Sequence, residues 1–431
     1  MRLLVLLISL ALPAAAQEFS TLKGHGGPIM GIAVSDAGQV ATASFDNSVG
    51  LWSDGLPTWL EGHEAAVSTL NYALAPVLLT GGDDFRVLLW NTALETAHEL
   101  TKHLGKVSDI AISQDGTRLA SASWDGTIHL MQPSHDTQAT TLPVVLYGHR
   151  SGVNAVAFHS SGALFSGSSD GTLRIWEGQP ESMSSRAIVH HGFGINKLIV
   201  SDDWLAYGAV DGGTRVIHPV TGDLIADFTL DRRPILSLAH HRETGQIAVG
   251  DGQGYIMMID SKTWRIARDF RATRRGPVWA LAFSNDGQTI WAGGLDDIVY
   301  GWPVALLDEF DPAMGQDRSF LHKADTMPNG ERQFMRKCSI CHSLDDGPSR
   351  KAGPTLHGVF GRAAGTVPAY RYSQTLHGSD IVWTEDSIDA LFDVGPDHYI
   401  PGSKMPMQVI AKPQDRADLI AFLKQNTTQG D

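Results

Sequence analysis

The chain has 431 residues, 42% of them hydrophobic and 19% charged, which is enough apolar material for two or three domains and too much for wholesale disorder. Lys plus Arg number 33 against 47 Asp plus Glu, a net of −14, so nucleic acid and anionic membrane surfaces are poor partners. Two cysteines in the whole chain exclude a disulfide-dense scaffold and a four-cysteine zinc site.

The N-terminus carries a message about compartment. Arg2 is followed by an apolar run from Leu3 to Leu12, then Pro13 and the small residues Ala14, Ala15 and Ala16 before Gln17. This pattern reads as an export signal over 1–16, cleaved after Ala16, and predicts a periplasmic protein. No later window has the length of uninterrupted apolar sequence that a spanning helix needs, so no membrane span is expected in the mature chain.

Residues 17–303 repeat. Thr42-Ala-Ser-Phe-Asp-Asn-Ser-Val-Gly-Leu-Trp52, Ser121-Ala-Ser-Trp-Asp-Gly-Thr-Ile-His-Leu-Met131 and Ser166-Gly-Ser-Ser-Asp-Gly-Thr-Leu-Arg-Ile-Trp176 share one template: strand, tight turn, strand. The closing slot falls at Trp52, Trp90, Met131, Trp176, Ile217, Ile259 and Trp302, at steps of 38, 41, 45, 41, 42 and 43 residues. That period resembles the WD-repeat β-propellers, and seven slots imply seven four-stranded blades. His25, His63, His149 and His190 stand 27 residues before their slots and His103 stands 28 before. Asp46, Asp84, Asp125, Asp170, Asp211 and Asp296 stand six before. The resemblance implies that these His and Asp side chains bond within each blade and are structural. It also implies that the first strand of the chain closes the ring against the blade ending at Trp302. Blades six and seven depart from the pattern, with Arg232 and Arg275 in the His slot and Gln253 where blade six should have Asp. His240-His241 is read as exposed polar surface rather than a metal site.

Residues 304–326 lack the repeat and read as a linker. Beyond them the chemistry is concentrated in Cys338-Ser-Ile-Cys341-His342. C-x-x-C-H is the attachment signature of a c-type haem, since two thiols at this spacing reach two vinyl groups while the imidazole lands beneath the iron. A thioredoxin-like motif would need a βαβ setting, and zinc would need more ligands than this cluster offers. Gly330 and Phe334 on one helical stretch, and Leu419, Phe422 and Leu423 on another, predict two helices that cross closely at the small Gly330. Met405, in a turn rich in Pro and Gly, is the favoured sulfur ligand, and Met407 competes with it.

With Lys351-Ala-Gly-Pro354-Thr-Leu-His-Gly358-Val-Phe-Gly-Arg362, Tyr370-Arg-Tyr372-Ser, Trp383 and Tyr399-Ile-Pro-Gly-Ser-Lys-Met405, residues 327–431 closely resemble the class I, mitochondrial-type cytochromes c. The resemblance implies one covalently attached haem c, with His342 and Met405 as axial iron ligands. It implies that the Pro354 carbonyl orients the proximal imidazole, and that Arg362, Tyr372, Trp383 and Ser403 surround the haem propionates. Phe392 occupies a slot that holds Tyr in mitochondrial proteins. The expected architecture is therefore multi-domain: an all-β seven-bladed WD-repeat propeller followed by an all-α class I cytochrome c domain.

Two axial ligands leave iron no open position, which favours one-electron transfer over substrate turnover, with periplasmic redox proteins as partners and the propeller as docking platform. One alternative is a redox enzyme with a second cofactor in the propeller, as in nitrite reductases that pair such domains in the opposite order. Another is a redox-sensing scaffold. The charge is uneven: 21 basic against 35 acidic residues between 17 and 326, but 11 against 12 beyond. Within the acidic propeller Arg232, Arg233, Arg271, Arg274 and Arg275 cluster in the loops opening blades six and seven, a candidate docking patch that steers an acidic partner.

Overall fold

The computed structural model describes residues 20–73, 76–132, 142–230, 234–273, 276–307, 328–339, 341–347, 351–368, 370–373, 375–405 and 408–427. The export signal over 1–16, most of the linker, Arg232, Arg233, Arg274, Arg275 and Met407 lie outside the described residues.

Twenty-eight described strands, β1 to β28 in chain order, form seven four-stranded sheets in which neighbours run antiparallel. Six sheets are built from four consecutive strands, as in β2 (Ile29–Val34), β3 (Val40–Ser44), β4 (Ser48–Ser53) and β5 (Leu56–Glu61). The seventh takes its outer strand from the other end of the propeller. β1 (Ser20–Lys23) pairs with β28 (Ile298–Pro303), Leu22 opposite Val299, so the ring closes as the repeat register requires and leaves no open edge between first and last blade.

The middle strands are buried on both faces, as Val40–Ser44, Leu119–Ser123 and Leu164–Ser168 show, because each blade is packed between two others. Close packing explains the glycines of the second strand of a blade. A Cβ on Gly81 would lie 2.8 Å from Cβ of Val107, and one on Gly208 would lie 2.9 Å from Cβ of Ile235, each a β-branched residue of the following blade. The inner strand of every blade carries a register shift at its second residue, and in several blades that residue reaches across: Asn154 Nδ2 donates to the Ile195 carbonyl at 2.9 Å and Asn196 Nδ2 to the Ile235 carbonyl at 2.8 Å. Neighbouring blades are therefore stitched by polar as well as apolar contacts.

The His and Asp residues of the repeat are held inside the blades. In blade one His25 Nδ1 meets Asp46 at 2.9 Å, Nε2 meets Thr42 Oγ1 at 2.7 Å, and Trp52 Nε1 donates to the same hydroxyl at 2.8 Å. His63–Asp84 and His149–Asp170 repeat the arrangement. In blade three, where Met131 replaces Trp, His129 fills the space and its ring stacks on His103 at 3.7 Å.

Two expectations need correction, and the departure in blade six is explained. In blade five His191, not His190, bonds Asp211, at 3.0 Å. His190 is the last residue of the preceding blade's outer strand, opposite Thr172, so a fixed count of 27 misses the slot by one residue. In blade six Asp251, two residues before Gln253, supplies the turn carboxylate and accepts from the amides of Gln253 and Tyr255. His240-His241 is not exposed: His240 packs edge-on to Trp204 at 4.8 Å, and burial pushes its pKa down to about 4.

The helical region comprises α1 (Asn329–Lys337), α2 (Glu385–Val394), the short α3 (Pro396–Tyr399) and α4 (Pro413–Asn426). α1 and α4 cross at Gly330, where an added Cβ would lie 2.8 Å from Phe422 Cβ and nearer still to the Asp418 carbonyl, so only glycine permits this approach. Phe334 and Phe422 pack beside the crossing at 5.5 Å. Arg416, buried on α4, donates to Asp389 at 2.8 Å and to the Ile410 carbonyl at 2.8 Å, tying α4 to α2 and to the segment between them. No helix among the described residues is long and apolar enough to cross a membrane.

Candidate cofactor site

α1 ends at the cysteine motif. The Cys338 amide still bonds the Phe334 carbonyl at 2.8 Å, and the amides of Cys341 and His342 both turn back to the Cys338 carbonyl, at 3.0 and 2.8 Å. This extra turn places residues i, i+3 and i+4 on one side of the chain, which is why a C-x-x-C-H spacing presents two sulfurs and an imidazole together. Neither cysteine is in a disulfide. Burial pushes the Cys338 thiol up to about 12 and the Cys341 thiol up to about 11, so both are protonated at neutral pH.

The His342 ring is fixed by its neighbours. Nδ1 donates to the Pro354 carbonyl at 2.7 Å, which assigns the proton to that nitrogen and leaves Nε2 with a lone pair. Burial lowers the imidazole's pKa and keeps it neutral. Gly353 lies flat against the ring: a Cβ there would fall 2.7 Å from Nδ1 and 2.9 Å from Nε2, so any side chain would displace the imidazole. In the sequence this role of Gly353 is marked only by its place in a Gly-Pro pair.

His342 opens onto a cavity of about 480 Å3, and Cys338, Cys341, His342, Pro354, Arg362, Tyr372, Trp383, Ser403 and Met405 all line it. The turn after α3 brings in Met405, whose amide donates to Ser403 Oγ at 3.1 Å. Arg362 is anchored by donating to the carbonyls of His357 at 2.6 Å and Thr355 at 2.8 Å. The Tyr372 hydroxyl accepts from the Val367 amide at 3.3 Å. Ile388, Leu391, Phe392, Ile400 and Leu423 make the remaining wall largely apolar, and Phe392 brings an aromatic ring without a hydroxyl. Tyr370, quoted in the sequence only as part of a motif, also lines the cavity, with its hydroxyl donating to the Ala352 carbonyl at 2.6 Å.

The set fits a flat, largely apolar group with a metal at its centre: two protonated thiols, a neutral imidazole, a thioether, and cationic side chains, Arg362 among them, at the polar margin. Part of the wall comes from outside the helical region, since Phe45, Glu64 and Phe85 of the first two blades also line the cavity.

Comparison with known proteins agrees with this division. A cytochrome c model matches residues 328–427, and a WD domain, G-beta repeat model matches 16–53, 56–91, 94–130 and 140–177. The matched repeats end before blade five, where the His slot shifts to His191. Cytochrome c of Sesamum indicum is 46% identical over 101 residues, 23% of this chain and 88% of that protein. Cytochrome c of Gossypium barbadense is 46% identical over 100 residues, 23% of this chain and 87% of that protein, and that of Chlamydomonas reinhardtii is 39% identical over 104 residues, 24% of this chain and 92% of that protein. Through its last hundred residues this chain belongs to the cytochrome c family, and it joins that domain to a seven-bladed WD-repeat β-propeller.

Proposed function

We propose that the protein is an exported mono-haem c cytochrome that carries single electrons between periplasmic redox proteins, with the propeller as its protein-binding platform. The observation that carries this reading is the state of His342: one ring nitrogen is committed to Pro354 and the other faces the cavity lined by both thiols and Met405. Cys338 and Cys341 would anchor one haem covalently, and His342 and Met405 would hold its iron. Held by an imidazole and a thioether, the group would supply one-electron redox chemistry, with the thioether raising its potential. Pro354 holds the imidazole tautomer, Arg362, Tyr372, Trp383 and Ser403 would meet the propionates, and the apolar wall excludes water.

Export is supported by the pattern of residues 1–16, and periplasmic partners follow from it. The arginines at 232, 233, 274 and 275 are the proposed site for an acidic partner. Of the described arginine beside them, Arg271, the guanidinium sits over the Tyr255 ring at 5.8 Å. The test of the ligand set is Met405→Ala in the full-length protein. It should retain covalent haem, lose the far-red sulfur-to-iron band and gain affinity for external ligands. An unchanged band would move the ligand to Met407.

A further inference from the structure

In six of the seven blades the turn between the second and third strands carries a residue at positive φ, and five of the six use one that tolerates this backbone. Asn47 (φ 71°), Gly126 (89°), Gly171 (80°), Gly212 (90°) and Gly254 (91°) occupy the position in blades one, three, four, five and six. Blade two places Phe85 there, at φ 72°. A bulky residue in the left-handed region is strained, and such strain persists only where surrounding structure supports it. The fold of the blade does not require this residue, because glycine serves in four others.

What Phe85 gains by standing there is a place in the wall of the cofactor cavity. Phe45 of the blade-one turn lines the same cavity. Beside these two rings, among the described residues, an ion pair joins the helical region to the propeller. Lys404, next to Met405 in the turn, lies 3.5 Å from the Glu64 carboxylate, and its Nζ also donates to the Glu64 carbonyl at 3.2 Å. The neighbouring acid Asp83 is engaged by Lys106 at 3.1 Å, and Asp84 by His63 at 3.0 Å, so Glu64 is the carboxylate turned toward Lys404.

We propose that the tips of blades one and two form the outer wall of the haem site: Phe85 and Phe45 cover the side that the helical domain leaves open, and the Glu64–Lys404 pair holds the wall in place. The propeller is then part of the cofactor site as well as a platform for other proteins. The proposal rests on the haem reading given above. It makes the helical domain's own partner, in this chain, an apolar and acidic surface built into the same polypeptide.

Two measurements on the full-length holoprotein test it. A zero-length carbodiimide joins a carboxylate to an amine only when they touch. It should link Glu64 to Lys404 within one monomer, independently of dilution, and Glu64→Gln should lose the link. Phe85→Gly should then raise amide hydrogen exchange across residues 400–405 several-fold while leaving the propeller's unfolding temperature unchanged or higher, because glycine relieves the backbone strain. A purely structural role for Phe85 would give the reverse, a lower unfolding temperature with no change at 400–405. That result, or a link found only between copies, would overturn the wall. Linkage within the monomer in a protein whose pyridine haemochrome spectrum shows no haem c would overturn the function proposed above and leave the domain contact standing.

Discussion

His149 in the propeller and His342 in the helical domain are both buried imidazoles with one nitrogen held by an oxygen, and they part company at the second nitrogen. In His149, Nδ1 meets Asp170 at 3.0 Å and Nε2 meets Ser166 Oγ at 2.7 Å, an oxygen that also accepts from Trp176 at 2.8 Å. Every polar atom of that ring is used within the blade. Among the described residues His342 is bonded only through Nδ1, to Pro354, and its ring lines a cavity shared with two thiols and a thioether. The comparison teaches that burial and hydrogen bonding alone do not mark a functional histidine; the donor atom left over does.

The widest separation between the two regions should come from Cys338→Ala. Removing a thiol that anchors the haem should abolish most covalent haem on a stained denaturing gel. The propeller's unfolding transition should be retained, because its core clusters are built from its own strands. Simultaneous loss of both would show that the domains depend on one another for folding.

His149→Ala tests the other side. It removes the ring that bonds both Asp170 and Ser166, although Asp170 keeps Arg150 and Thr172 and Ser166 keeps Trp176, and should lower propeller stability by about 2 kcal/mol in a denaturant melt. The haem spectrum should not change. A shifted spectrum would mean that blade four communicates with the cofactor site.

The smallest effect is a pH dependence confined to the propeller. Burial holds the pKa of His129 down to about 4 and lowers those of His103 and His149, so these rings fold neutral and the unfolded chain binds more protons below about pH 6.5. Stability from this source is complete above the unfolded value and is lost as pH falls from about 6.5 toward 4. Asp46 behaves otherwise: burial opposes its charge, but the hydrogen bonds from His25, Ser48 and Gly26 prevail and keep it below the usual carboxylate range, so its contribution is lost only in stronger acid. The propeller's melting temperature should therefore fall between pH 6.5 and 4, and His129→Leu should make that fall shallower. A flat profile would mean that these histidines are already charged in the folded blades.

Much of this was legible in the residues because it is local. Most blades have a turn residue of positive φ and several have a buried hydroxyl beneath an indole, and both leave marks at fixed spacing, as in Asp170-Gly171 with Ser166 and Trp176. Spacing failed where the count could change without cost. In blade five the stretch from the His slot to the closing slot is one residue shorter, which leaves His190 on the outer strand and moves the bond to His191, and a change of turn puts the blade-six carboxylate at Asp251. The cofactor motif was legible for the same reason, since Cys338, Cys341 and His342 occupy one helical turn. The support of Gly353 behind His342 was not, because a glycine's role depends on what approaches it.

The number of blades, the closure of the ring by its first strand, the helix crossing at Gly330 and the two-thiol, one-imidazole motif are all written in the order of the residues. Each of these follows from short-range chemistry or from a repeating period. Only the tertiary structure decided which blades lie against the cavity. Glu64 and Lys404 are 340 residues apart, and Phe85 belongs to a turn whose spacing resembles those of other blades. No local propensity encodes that meeting, because it depends on how one folded surface fits another.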